Sequence, residues 1–211
     1  MTQYQNWNWE PISKHIKSFQ SGIASGNKSR DTGYPHLRMN NISVRFTLNQ
    51  DELWYIPASN EDTIRYSINK GDLLFNNTNS AELVGKSCVF DIDTDKVFLF
   101  SNHLTRIRTK DSLDSLYLLY WIQSLWAKGY FKDNCTKWVN QAAVRPEAVL
   151  FTKEVFLPPT IDEQRAFANK IRTAITHVEE MRKTVLKQKD AIEALPAAIL
   201  RNIFNFEDIA R

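Results

Sequence analysis

The most regular hydrophobic pattern lies in the last third of the chain. Phe167, Ile171, Ala174, Val178, Met181, Val185, Ile192 and Leu195 recur at alternating spacings of four and three, and only Gln188 interrupts the seam. That is the heptad pattern of a helix packing along one stripe against another helix. No glycine or proline falls between Thr160 and Leu195. Thr160-Ile-Asp-Glu163 reads as a capping box: the threonine hydroxyl accepts from the third helical N–H and the glutamate reaches back to the cap. At 1.5 Å per residue the predicted rod is about 50 Å long. One alternative is a helix lying along its own domain, and the segment after Pro196 (AAILRNIFNF) could cover only part of the seam. A helix of this length needs a partner, so the pattern predicts self-association. A two-fold antiparallel pairing would hold two globular domains at opposite ends of a spacer.

Before Pro158-Pro159 the pattern is mixed. Pro11 followed by ISKHIKSF predicts a short helix with the proline in its first turn. Residues 20–36 hold three of the six glycines and predict an exposed loop. Strand-like runs follow at Leu37–Phe46, Leu53–Ile56, Asp72–Phe75, Ser87–Phe90, Val97–Phe100 and Leu104–Arg108. Leu113, Leu116, Tyr117, Tyr120, Trp121, Ser124 and Leu125 are spaced as on a helix buried over much of its surface. A polar loop from Lys128 to Gln141 and a last strand, Glu154–Leu157, complete the segment. The expected class is α+β: a globular mixed α/β domain over residues 1–157, then a long C-terminal coiled-coil helix within 158–211.

Composition narrows this picture. Aromatics at 12% and apolar residues at 43% are enough for a core. The two cysteines, Cys88 and Cys135, are not expected to make a disulfide framework or a four-ligand zinc site and suit a reducing compartment. The start, MTQYQNWNWE, shows no secretory signal. The richest apolar run, Leu116 to Trp126, is about half a membrane span. A soluble cytoplasmic protein without a membrane partner is expected. The net charge of +3 is mild, but its distribution is uneven. Residues 1–50 carry six Lys/Arg against two acids, residues 51–100 four against nine, and residues 101–157 eight against five. Folding could gather the two basic stretches on one face.

The catalytic inventory is thin. There is no Asn/Asp-Pro-Pro-aromatic box, because the one Pro-Pro sits in Leu157-Pro-Pro-Thr160. There is also no glycine-rich phosphate cradle, and no lysine has an acid two residues before it. Asp91-Ile-Asp93-Thr-Asp95 faintly resembles a calcium loop, but Lys96 stands where glycine is needed and Asn102 where the bidentate glutamate belongs. His15, His36, His103 and His177 are scattered, so no metal site is expected. The chain does not read as an enzyme.

What remains is a recognition surface. Lys and Arg meet phosphates, while Asn, Gln and hydroxyls read base edges. Three segments have that composition: Asn27-Lys28-Ser29-Arg30; Asn76-Asn77-Thr78-Asn79-Ser80 with Lys86; and Lys132 to Gln141 with Arg145 beyond. From these, Lys28, Arg30, Lys86, Lys132, Lys137 and Arg145 are candidate phosphate contacts. Asn76, Asn77, Thr78, Asn140 and Gln141 are candidate base readers. The heptad residues Phe167 to Leu195 are the candidate dimerisation seam.

A series of motifs is similar to one repeat of the specificity subunit of type I restriction-modification systems. They are Gly33-Tyr-Pro-His-Leu-Arg-Met-Asn-Asn-Ile42, Lys70-Gly-Asp-Leu-Leu-Phe75, Val84-Gly-Lys-Ser-Cys-Val-Phe90 and Ser101-Asn-His-Leu-Thr-Arg-Ile-Arg108. Val155-Phe-Leu-Pro-Pro-Thr-Ile-Asp-Glu-Gln-Arg165 then opens the long helix and Ala194-Leu-Pro-Ala-Ala-Ile-Leu-Arg-Asn-Ile-Phe204 closes it. The Pro-Pro…Glu-Gln-Arg element is the most specific of these. The resemblance implies a target-recognition domain plus helical spacer, reading half of a split duplex-DNA site and docking a methyltransferase subunit. Methylation with S-adenosylmethionine and ATP/Mg-dependent cleavage would belong to methyltransferase and restriction subunits, with no cofactor on this chain. The family's usual subunit has two such units in tandem. The chain therefore reads as a half-subunit that forms a homodimer on an interrupted palindrome, or as an excised half of a longer protein. A coiled-coil adaptor and the detached recognition region of a fused restriction-methylation enzyme are the competing readings.

Overall fold

In a computed structural model, residues 4–204 are described, so the ends of both expected domains, 1–3 and 205–211, lie outside the described residues. The chain divides into two compact units, 1–168 and 169–211, against an expected boundary at 157/158.

The first unit is organised by a four-stranded antiparallel sheet, β2 (Ile16–Ser21), β9 (Leu104–Thr109), β5 (Leu73–Asn76) and β7 (Ser87–Val89), in that order. Strand β5 lies between β9 and β7 and is wholly buried. Its side chains alternate between two cores, as the period of two requires. Leu73 and Phe75, with Ile107 of β9, join a cluster with Tyr117, Leu118 and Ile122 of helix α2 (Ser115–Ala127). Leu74, with Cys88 and Leu104, faces a second cluster with Leu37, Phe90, Phe98 and Phe100. Each such large side chain contributes roughly 1.5–3 kcal/mol of burial. Burial pushes the Cys88 thiol up to about 12, so it serves as an apolar core group rather than a nucleophile.

Three smaller sheets complete the unit: β4 (Trp54–Ile56)–β3 (Tyr34–Leu37)–β8 (Leu99–Phe100), β10 (Thr136–Lys137)–β11 (Ala142–Ala143)–β6 (Thr78–Asn79), and β1 (Asn8–Pro11)–β12 (Glu154–Leu157). The strands expected at 53–56, 72–75, 87–90, 97–100, 104–108 and 154–157 are present within a residue or two.

Four local expectations need correction. The helix expected after Pro11 is one 3-10 turn, Ile12–Lys14, between β1 and β2, because pairing with β12 and β9 claims the flanking residues. The strand expected over 37–46 ends at Leu37. Beyond it, Asn41 bends the chain: its carboxamide oxygen accepts from the Arg38 N–H at 2.8 Å and its nitrogen donates to the carbonyls of Asn49 and Glu52 at 3.0 and 3.3 Å. The polar stretch 128–141 contains α3 (Tyr130–Asp133) and strand β10. Two further short helices, α1 (Asn60–Tyr66) and α4 (Pro146–Leu150), were not expected.

Helix α5 (Ile161–Ile203) opens as expected. The Thr160 hydroxyl accepts from the Glu163 N–H at 3.2 Å, and the Glu163 carboxylate accepts from the Thr160 N–H at 3.1 Å. Gln164, buried, donates to the carbonyls of Ser112 and Pro158 and accepts from the Asp114 N–H at 2.9 Å. Arg165 pairs with Asp114 at 3.5 Å, and Asp114 also caps α2 through the N–H groups of Leu116 and Tyr117. The Glu-Gln-Arg sequence thus caps one helix and fastens its first turn to the cap of another. Phe167 packs edge-on against Trp7 at 5.0 Å within this unit, which removes it from the expected dimerisation seam.

In the second unit the helix runs on to Ile203 through Pro196, so the segment after Pro196 extends α5 instead of folding back to cover it. Val178, Met181, Val185, Ile192 and Leu195 are all more than half exposed, and Ala174 is exposed. Among the described residues no helix is long and apolar enough to cross a membrane.

Candidate nucleic-acid interface

The candidate interface starts from a hairpin. Strands β10 and β11 pair antiparallel, and a bond from the Trp138 N–H to the Gln141 carbonyl at 2.7 Å closes the tip. Lys137, Asn140 and Gln141 are exposed there, beside Trp138 at 60% and Val139 at 97% exposure. Strand β11 continues onto β6, setting Ala143 against Thr78 and Ala142 against Asn79. The second and third polar segments of the sequence are therefore parts of one small sheet, and Arg145 stands exposed just beyond it at the cap of α4.

Asn77 joins this sheet to the loop before β9. Its side chain donates to the Asn102 carbonyl at 3.2 Å and to the Thr105 hydroxyl at 2.9 Å, and it accepts from the Thr78 hydroxyl at 2.8 Å. The 22–33 loop reaches the same place, through bonds between Ile23 and Phe100 and between Asn102 and Ile23. Partial burial, then the positive charges of Arg38 and Lys28, hold the His103 imidazole below its ordinary range. Lys28 and Arg38 thus lie near enough to disfavour the charged imidazole, and His103 adjoins Asn77, whose N–H donates to the His103 carbonyl at 3.0 Å. Arg38 and His103 were missed from the sequence, although both lie inside motifs that carried the family resemblance.

Two of the sequence candidates are not on this surface. Asn76 is fully buried in β5, and no base edge reaches it. Lys86 is 6% exposed and donates to the Ile42 carbonyl at 2.7 Å and the Met39 carbonyl at 3.4 Å. Desolvation lowers its pKa, so it fastens the 39–42 turn to the core rather than meeting a phosphate. Asn77 and Thr78 are half-buried and hold the loop through the bonds above. Lys28, Lys132, Lys137 and Arg145 are exposed. Lys132 lies 3.6 Å from Glu82 in a solvent-exposed pair, and the Arg30 guanidinium stacks on Trp54 at 3.7 Å.

The acidic turn has its own cation. Lys70 donates to Asp93 at 2.6 and 2.7 Å and lies 3.8 Å from Asp91, an arrangement that raises the lysine pKa through the Asp93 bond. Among the described residues, no group of three or more His, Cys, Asp or Glu is arranged to hold a metal.

No protein-family model matches the chain. The chain is similar in sequence to specificity subunits of type I restriction enzymes, and in fold to chains of type I restriction-modification systems. It is similar to the MjaX type I restriction enzyme specificity subunit of Methanocaldococcus jannaschii, with 23% identity over 201 residues, 95% of this chain and 46% of that one. It is also similar to the EcoKI specificity subunit of Escherichia coli, with 24% identity over 206 residues, 97% of this chain and 43% of that one. Among solved structures, a chain of a type I restriction-modification system matches with a TM-score of 0.62 and 18% identity, over 93% of this chain and 45% of that one. The HsdS subunit of Thermoanaerobacter tengcongensis matches at 0.55 and 18%, over 83% of this chain and 40% of that one. The chain spans less than half the length of the curated relatives it matches.

Proposed function

We propose that this chain is a non-catalytic DNA-recognition subunit that reads one half of a bipartite duplex target and docks a methyltransferase subunit. It acts in the cytoplasm as part of a type I complex. The observation that carries the reading is the gathering of the β10–β11 hairpin, the Asn77–Asn102 loop pair and the Lys28–Arg38–His103 neighbourhood. That surface offers basic groups to phosphates and exposed amides at a hairpin tip, of a size the major groove admits. Lys28, Arg30, Lys132, Lys137 and Arg145 take phosphate contacts, and Asn140 and Gln141 read base edges. Asn77 and Thr78 position the sheet. Base modification and cleavage, with S-adenosylmethionine and ATP/Mg, belong to the methyltransferase and restriction subunits.

The exposed seam of α5 supports pairing with a second copy, now through Ile171, Ala174, Val178, Met181, Val185, Ile192 and Leu195. Two identical heads related by a two-fold demand an inverted repeat with an unread gap. Co-expression with a type I methyltransferase subunit, followed by mapping of methylated motifs, tests both levels. An interrupted palindrome supports the homodimer. An asymmetric bipartite motif sinks the homodimer while sparing DNA recognition, and absence of any methylation or co-purification sinks the reading itself.

A further inference from the structure

The tip of the β10–β11 hairpin carries an apolar pair to which neither phosphate contact nor amide readout gives a role. Val139 is 97% exposed and Trp138 60%. Valine is favoured in strands because its branched side chain packs against neighbours, whereas turns favour Gly, Asn, Asp, Pro and Ser. At this turn Val139 packs against almost nothing, so the fold does not account for it. Trp138 stands apart in the same way. The other exposed tryptophan among the described residues, Trp9, leans on Phe156 at 5.1 Å, but Trp138 has no ring contact among them. Side chains that break a local preference without a packing gain mark functional positions.

The surroundings identify what the pair meets. Lys137 precedes it and Arg145 follows just beyond β11, both exposed, and no acid falls between them in the sequence. Two apolar side chains set among cations and amides are too small a patch for a stable protein interface and suit a nucleic acid. In the major groove the apolar group that a base pair displays is the thymine 5-methyl, which apolar side chains contact, while the adenine of the same pair offers N6 and N7 to an Asn or Gln amide. Asn140 and Gln141 directly follow Val139. The tip thus holds side by side the two chemistries that one A·T pair presents.

We propose that Val139 reads a thymine through its 5-methyl group, with Trp138 beside it keeping water from the contact, so that each half-site holds an A·T pair under the hairpin tip. The proposal rests on the DNA-recognition reading and deepens it by naming a base and the atom group that is read. It is independent of the homodimer, because one head is enough to make the contact.

The test uses the chain co-expressed with a type I methyltransferase subunit and duplexes carrying the motif that methylation mapping returns. The thymines of one half-site are replaced one at a time by deoxyuridine, which lacks only the 5-methyl group. Fluorescence anisotropy should find one thymine whose replacement weakens binding about fourfold, the worth of burying one methyl group. Val139→Ser should bind the unmodified duplex about fourfold more weakly and no longer distinguish the two. Lys137→Ala should bind more weakly and still distinguish them. Indifference of the unaltered chain to every deoxyuridine, or discrimination that survives Val139→Ser, overturns the methyl contact and leaves DNA recognition standing. Loss of methyltransferase co-purification on Val139→Ser assigns the tip to a protein contact and overturns it equally. A complex that binds no duplex overturns DNA recognition, and the methyl contact with it.

Discussion

Replacing Lys137 by alanine removes an ammonium from the exposed strand β10, whereas replacing Lys86 removes one that the fold has already used. If Lys137 meets a phosphate, its loss should reduce the slope of log affinity against log salt by about 0.9, weaken binding to all duplexes alike, and leave stability within about 0.5 kcal/mol. Lys86→Ala should behave in the opposite way. It deletes charge-assisted bonds to the Ile42 and Met39 carbonyls, worth roughly 1.5–3 kcal/mol, offset in part because the variant no longer buries a charge. A net destabilisation of about 2 kcal/mol is expected, with the salt slope untouched. Urea unfolding supplies the stabilities. Fluorescence anisotropy across a salt series, on the chain co-expressed with a type I methyltransferase subunit, supplies the slopes. A Lys86→Ala variant of normal stability with a shallower salt slope would refute the argument that burial removes this residue from the interface.

Three further outcomes follow from the packing. Asp72, 4% exposed, accepts from Arg108 at 2.7 and 2.8 Å and from the Asn69 N–H at 2.8 Å, with Arg106 at 3.9 Å. Asp72→Ala leaves two arginines without their anion and should cost about 3 kcal/mol in urea unfolding; a loss below about 1 kcal/mol would show that solvent compensates the pair. Gly85 has φ +89, and an added Cβ would lie 2.4 Å from the Phe131 ring. Gly85→Ala should therefore lower the thermal midpoint, by a cost of about 2 kcal/mol or more, and an unchanged midpoint would contradict the ring's placement. Burial pushes the His36 imidazole down from 6.5 to about 4, Arg38 and Lys28 adding to the drop against the carbonyls of Ile23 and Phe100. The unfolded chain takes up this proton first as the pH falls. The contribution of His36 is thus complete above about pH 6.5 and is lost toward about pH 4, on the order of 3 kcal/mol in all. His36→Phe should flatten that part of the stability–pH curve, and an unaltered curve would assign it elsewhere.

What could be read from the sequence was what is determined locally. The α5 capping box and the helix that follows it depend on neighbours three and four residues away, and both are where the pattern put them. The same logic was available for α1, where Ser59 and Asp62 form a reciprocal cap, and for α4 with Pro146 in its first turn. Those helices are short enough to be lost among polar residues. The turn at Asn41 was not legible, because the groups its carboxamide holds are brought together only by the fold. The interface divides in the same way. Composition located the hairpin and the 76–80 run, but it counts polar atoms without knowing which ones the fold consumes. Asn76 and Lys86 are inside, and the Asn77 amide is spent on Asn102, Thr105 and Thr78. A backbone bond closes the hairpin tip instead, so the Asn140 and Gln141 side chains remain exposed. A polar segment can read a partner only with side chains that are not already holding it in shape, which is why the hairpin, and not the equally amide-rich strand beside it, is the place to look for sequence readout.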